Sequence, residues 1–323
     1  MRRFILQASI AACASTLLPM PAAAQEYPSK PIKLIVPWSP GGGTDVLARI
    51  MAGKLSENLK QQVIVENKAG ASSLIGMAAL ANAAPDGYTF ALATSNLASN
   101  PYLYAQHPFD VSRDLAPVVL VSKGVYAMAV HPAMPVKTVG ELVALAKANP
   151  DKYNAAMIGA GAPPHLALTQ FTSMTGTKIV GINYKGAGPA MAATVAGETQ
   201  LLFSSYATML PMVDAGRLRV LAVTSAQRAA AAPQVPTATE SGLPGFVFDE
   251  WYAVFAPAKT PRVAIDRMNQ EVRKVLEMPD VRERMRGLAS EPAGGTPEAL
   301  GEFVRAEMAR FSKLITENNI KAE

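Results

Sequence analysis

Ile32-Lys33-Leu34-Ile35-Val36-Pro37-Trp38-Ser39-Pro40-Gly41-Gly42-Gly43-Thr44-Asp45 is the stretch from which the fold can be read. An apolar run bounded by Pro31 and Pro37 has the length of a buried strand. Three glycines then make a turn. After Asp45, the residues Val46, Leu47, Ile50, Met51, Leu55 and Leu59 recur at helical spacing. This is strand, tight turn, helix. Working outward, Gln62 to Glu66 reads as a second strand, Ala71 to Ala84 as a helix after Gly70, and Tyr88 to Thr94 as a third strand. The β-α-β-α-β rhythm predicts a parallel sheet covered on both faces.

The rhythm resumes after Pro117. Val118 to Val121 and Val125 to Val130 read as strands and as candidate crossing segments. Helices are expected over 139–148, 164–175, 189–196 and 208–215, with strands over 154–159, 179–184, 199–204 and 218–223. Residues 229–245, rich in proline and alanine, read as irregular. A strand near 247–255 precedes helices near 261–277, 279–289 and 297–318. These last helices have no complete sheet of their own, so they are expected to return and cover the first domain. That predicts a discontinuous lobe 1 (residues 25–124 and 246–323) and an inserted lobe 2 (residues 125–245), with a ligand cleft between them.

Residues 1–24 read as an export signal. Arg2 and Arg3 form a positive start, residues 4–18 are mostly apolar, and Ala22-Ala23-Ala24 is a small-residue cleavage pattern. The apolar run is shorter than the ~20 residues a membrane span needs. Ile10-Ala11-Ala12-Cys13 only weakly matches a lipoprotein box. Cleavage after Ala24 leaves 299 of the 323 residues, lowers the formal charge from +5 to +3, and removes the lone cysteine. The sequence thus predicts a periplasmic protein without disulfides. Half the residues are apolar and 17% are charged, which excludes a disordered chain. The small basic excess gives no footing to a nucleic-acid partner.

The Pro37–Asp45 turn carries the strongest chemical signal. Glycines let backbone approach a ligand closely, Thr44 or Asp45 can cap the helix, and free amides at a helix start suit an anion. A plain strand-to-helix turn explains the same residues equally well. Gly159-Ala160-Gly161-Ala162-Pro163-Pro164, Tyr184-Lys185-Gly186 and Gly70-Ala71-Ser72-Ser73 repeat the pattern. Pro164 stands where a dinucleotide fingerprint needs glycine, and no phosphate loop or nucleophile elbow occurs. His107, His131 and His165 are scattered, so neither a metal site nor a catalytic base pair is assembled. No cofactor is expected. Trp38 and Trp251 each fit a cleft wall or ordinary packing.

Several ordered motifs together resemble one family. They include Tyr27-Pro28-Ser29-Lys30-Pro31-Ile32, Pro40-Gly41-Gly42-Gly43-Thr44-Asp45, Ala84-Pro85-Asp86-Gly87-Tyr88-Thr89, Pro163-Pro164-His165-Leu166, Ala215-Gly216-Arg217-Leu218-Arg219 and Gly294-Gly295-Thr296-Pro297. The chain resembles the Bug family of extracytoplasmic solute receptors, the binding components of tripartite tricarboxylate transporters. The resemblance implies an α/β, two-lobed periplasmic-binding-protein fold (type II, Venus flytrap). Each lobe would be a mixed, mostly parallel sheet flanked by helices, joined by two crossover strands. It also implies a small carboxylate held by main-chain amides, hydroxyls and water. By position it implicates Ser39, Gly42, Gly43, Thr44, Asp45, Ala71, Ser72, Ser95 and Asn96 from one lobe, and Gly161, Ala162, Tyr184 and Ser204 from the other. Trp38 joins them as a cleft candidate.

One departure matters. Family members often carry Asp-Asn after the strand ending at Phe203, and here the pair is Ser204-Ser205. The loss of an acid there predicts a ligand without a cationic amine. The function expected is a monomeric, non-enzymatic receptor that delivers a di- or tricarboxylate or an aromatic acid to integral-membrane permease subunits. The alternatives are a periplasmic sensing subunit acting through a sensor kinase and, more remotely, an enzyme.

Overall fold

A computed structural model describes residues 27–158, 161–184 and 186–321. The export signal and its cleavage point lie outside the described residues, as do Gly159, Ala160 and Lys185.

The strand, turn and helix at the start of the chain form as expected: β1 (Ile32–Val36) feeds α1 (Gly43–Leu59). Next come β2 (Val63–Asn67), α2 (Leu74–Ala81), β3 (Thr89–Thr94), α3 (Asn96–Leu103), α4 (Val111–Asp114) and β4 (Leu115–Gly124). Only Val125 separates β4 from β5 (Tyr126–Val130) in a second sheet. There the chain alternates α5 (Val139–Ala148), β6 (Asn154–Met157), α6 (Pro163–Thr175), β7 (Val180–Asn183), α7 (Ala187–Ala196), β8 (Leu201–Ser205), α8 (Tyr206–Asp214) and β9 (Arg219–Val223). After the irregular residues 224–249 it returns to the first sheet as β10 (Glu250–Pro257). It finishes with α9 (Arg262–Glu277), α10 (Pro279–Gly287), β11 (Ser290–Gly294) and α11 (Pro297–Glu317).

The first sheet has the order β11-β4-β10-β3-β1-β2 and the second β7-β6-β8-β5-β9. β1 pairs in parallel with β2 and β3, and β6 with β7 and β8. β10 lies antiparallel between β3 and β4, and β5 antiparallel between β8 and β9. The sheets are therefore mixed. β1–β4 share one direction, as do β6–β9, and each strand that crosses between the sheets enters against that direction.

Four elements depart from the sequence reading, the four-residue α4 among them. The helix expected from Ala71 starts at Leu74, because Ala71, Ser72 and Ser73 all have positive φ (46°, 48° and 79°). α3 was not expected, since Asn96, Ser99, Asn100 and Pro101 are poor helix formers. β11 was not expected either: Ser290-Glu291-Pro292-Ala293-Gly294 has no strand pattern. It forms a sheet edge, the place where a strand proline is tolerated.

Apolar faces hold the layers together. α1 buries Leu47, Met51, Leu55 and Leu59 with Leu34, Val36 and, from α9, Met268 and Val272. Trp251 is fully buried beneath α11, donating through Nε1 to Glu307 at 3.3 Å with its ring 5.6 Å from that of Phe303. It belongs to the core and not to a cleft wall.

Candidate functional site

A cavity of about 680 Å³ opens between the two sheets. The first sheet and its helices contribute Trp38 through Thr44, Leu47, Asn96, Gly124, Glu250, Tyr252, Leu288 and Ser290. The second contributes Tyr126, Ile158, Pro163, Ala187, Ser204, Ser205, Ala207 and Thr208. The starts of α1, α3, α6, α7 and α8 thus converge on one space. Each helix start presents unpaired N–H groups and the positive end of its dipole, an environment that favours an anion.

The starts at the cleft are open. Gly42, Ser95, Gly186 and Ser205 begin α1, α3, α7 and α8 without a side-chain cap. Away from the cavity, α4, α5 and α11 are capped by Asp110, Thr138 and Thr296, whereas α2, α9 and α10 lack a side-chain cap as well, so it is the convergence of the starts and not their lack of caps that marks the cleft. α6 offers less than its sequence suggested. Pro163 and Pro164 have no N–H to give. The Gly161 amide donates to His165 Nδ1 at 2.8 Å, and burial holds that histidine's pKa below its ordinary value, in keeping with a neutral acceptor.

The glycine turn is braced from behind. Asp45 is buried, and its Oδ2 accepts from the Gly41 N–H at 2.9 Å and from Arg49 Nε at 3.0 Å. Its Oδ1 accepts from Asn67 Nδ2 at 2.9 Å, and the same nitrogen reaches the Trp38 carbonyl at 3.0 Å. The Arg49 hydrogen bond leads in holding the Asp45 carboxyl down to about 2. On the opposite side of the turn, Trp38 Nε1 donates to Thr94 Oγ1 at 3.3 Å.

Of the residues anticipated from the sequence, Trp38, Ser39, Gly42, Gly43, Thr44, Asn96 and Ser204 line the cavity. Asp45 supports the turn. Ser72 Oγ accepts from the Tyr104 hydroxyl at 3.0 Å, and the Ser72 carbonyl from Asn100 Nδ2 at 2.7 Å. Tyr184 packs on the core of the second sheet. Ser95, Gly161 and Ala162 adjoin Asn96 and Pro163 in the chain without belonging to the lining, and Ala71 is not part of it.

Tyr126, Ser205, Thr208, Glu250 and Tyr252 went unanticipated. Glu250 carried a signal that was available: an acid opening an otherwise buried strand is uncommon without a role. It is the only charged residue on the lining among the described residues. Burial raises its pKa from the ordinary carboxylate value. Ser204 and Ser205 put no acid on the lining at that position, but β10 brings Glu250 to the same cavity. Among the described residues no group of three metal-ligating side chains forms, and no helix is long and apolar enough to cross a membrane.

Residues 47–320 match the model of the tripartite tricarboxylate transporter family receptor. The chain belongs to that family. The Bug resemblance read from the motifs therefore holds. BugT of Bordetella pertussis is 35% identical over 320 residues, covering 98% of this chain and 96% of BugT. Rpa4515 of R. palustris, solved with adipate, is 31% identical with a TM-score of 0.81, covering 91% of this chain and 99% of that one. The periplasmic binding protein BugD is 31% identical with a TM-score of 0.78, covering 92% and 100%. The fold of this receptor is accordingly two-lobed α/β, like those neighbours.

Proposed function

We propose that this receptor captures a small organic carboxylate in the cleft between its lobes and hands it to integral-membrane permease subunits. The observation that carries the reading is the convergence of uncapped helix starts on one cavity. Adipate in a neighbour of the same fold supports it. The ligand carboxylate sits against the amides of Gly43 and Thr44 and meets the hydroxyls of Ser39, Thr44 and Ser204, with Asn96 and Trp38 beside it. The lobes comprise residues 25–124 with 246–323, and 125–245, and closing them excludes water from the bound acid. The mature chain starts after Ala24, works in the periplasm as a monomer without cofactor, and turns nothing over.

A thermal-shift panel of dicarboxylates, tricarboxylates and aromatic acids tests the reading, since a ligand of the folded state raises apparent stability. At least one acid is expected to raise Tm and to titrate in calorimetry. A panel in which no acid does either overturns the proposal.

A further inference from the structure

A receptor for anions has no evident use for an acid in its own cleft, yet Glu250 stands there. Its place is set by β10. Side chains alternate along a strand, so Glu250 and Tyr252 face the cavity while Trp251 points into the core. Glu250 is in register with Gly124, the last residue of β4 before the chain crosses. The Cβ position of Gly124 lies 3.6 Å from both the Glu250 Cβ and the Tyr252 ring, so the end of β4 packs directly on these two side chains. Tyr252 interacts with Glu250 and with Thr44, at the start of α1. Tyr126, from β5, is the other titratable group facing Glu250. The carboxyl is thus fixed by the strands that join the lobes and is coupled through a phenol to the amide-rich turn.

We propose that Glu250 determines specificity: the cleft selects an organic acid that carries its own hydrogen-bond donor, a hydroxyl or an ammonium group, and Glu250 accepts that donor while the helix starts hold the carboxylate. This rests on the carboxylate reading above and narrows the class of ligand. An acid lacking the donor brings negative charge toward Glu250 and offers the carboxyl nothing in exchange for the water lost on closure. Sites built around a hydrogen bond reject the analogue without it far more strongly than apolar pockets reject a missing methylene.

Calorimetry on matched acids tests the proposal: succinate against malate and aspartate, glutarate against 2-hydroxyglutarate and glutamate, and 3-phenylpropionate against phenyllactate and phenylalanine. The donor-bearing member of a pair that binds is expected to bind about tenfold tighter or better. Glu250→Leu should bring the members of that pair to within about threefold of each other, with Glu250→Gln between. Comparing two ligands on one protein makes the ratio insensitive to a general loss of stability, and Glu250→Gln serves if the leucine variant does not fold. Unsubstituted acids binding as tightly as their partners in wild type, or a preference unchanged in both variants, overturns the role of Glu250 and leaves the carboxylate reading intact. No binding by any acid in the panel overturns both.

Discussion

One amide nitrogen of Asn67 bridges the Asp45 carboxylate, at 2.9 Å, and the Trp38 carbonyl, at 3.0 Å. β2 thereby holds both ends of the glycine turn that β1 leads into. The turn has little internal order to draw on, because Gly41 adopts φ 83° and no side chain caps α1. Its shape is imposed by Asp45 and Asn67 from behind, and the side facing the cavity is left free for a ligand.

Replacing Asp45 by alanine removes the acceptor for Gly41, Arg49 and Asn67 together. Gly41 and Arg49 are exposed and can turn to water, so the loss falls mainly on the part-buried Asn67 amide, about 1–3 kcal/mol where water does not replace the bond. Asp45→Ala is expected to lower Tm and, in ligand titrations, to weaken affinity by about tenfold or more. Asn67→Ala should reproduce the effect more mildly. An Asp45→Ala protein with wild-type affinity would show that the turn is ordered without its brace.

Stability should depend on pH through Asp249. This acid lies at the start of β10 among Lys123, Glu307, Arg310 and Glu291, and burial pushes its pKa up to about 7. A raised carboxyl binds its proton more tightly in the folded chain than in the unfolded one. This group therefore makes stability fall as pH rises from the unfolded pKa near 4 to about 7, with the full penalty above that. Asp249→Asn should gain Tm relative to wild type at pH 8, and the gain should shrink or reverse by pH 5. A difference constant across that range would place the proton elsewhere.

Gly161 and Leu103 bring the two lobes into close approach. A Cβ on Gly161 would lie 2.6 Å from Leu103 Cδ1, and the backbone there has φ 72°. Gly161→Ala is expected to cost about 1–3 kcal/mol through crowding and backbone strain. Adding Leu103→Ala should relieve the crowding but not the strain, so chemical denaturation of the double variant should show non-additive losses.

The two tryptophans should report differently on ligand. Trp38 lines the cavity, whereas Trp251 is sealed in the core. A ligand-induced change in emission should come from Trp38, and Trp38→Phe should remove it while calorimetry still detects binding. A signal that survives in Trp38→Phe assigns the change to Trp251 and to movement of α11 over it.

Local pattern carried much of the architecture. The apolar run of β1, the glycine turn and the spacing along α1 are short-range signals, and each formed within a residue or two of its expected bounds. α5 and α11 formed close to their expected bounds, and the structure adds Thr138 and Thr296 ahead of them as caps. Where a segment's conformation is imposed by its neighbours, pattern was silent. α3 carries Pro101 and two asparagines yet forms because it packs beneath α11. β11 exists because β4 offers it a free edge.

The same division runs through the site. Trp38, Ser39, Gly42, Gly43 and Thr44 were legible because they are contiguous and obey a local rule, glycine turn into helix. Family motifs reached Asn96 and Ser204. The sequence by itself determined the two-lobed α/β plan, the family and the helix starts that favour an anion, because these depend on periodicity and order along the chain. Tertiary structure alone decided that Gly161 spends its amide on His165, that Trp251 is core and Trp38 is cleft, and that Glu250 from the returning strand joins a cavity whose other charged candidates are absent among the described residues. Those outcomes turn on which face of a strand looks inward and which distant segment lies across from it. Side-chain alternation makes the first a matter of one residue of register, and the second arises only when two separate stretches of chain fold into the same sheet.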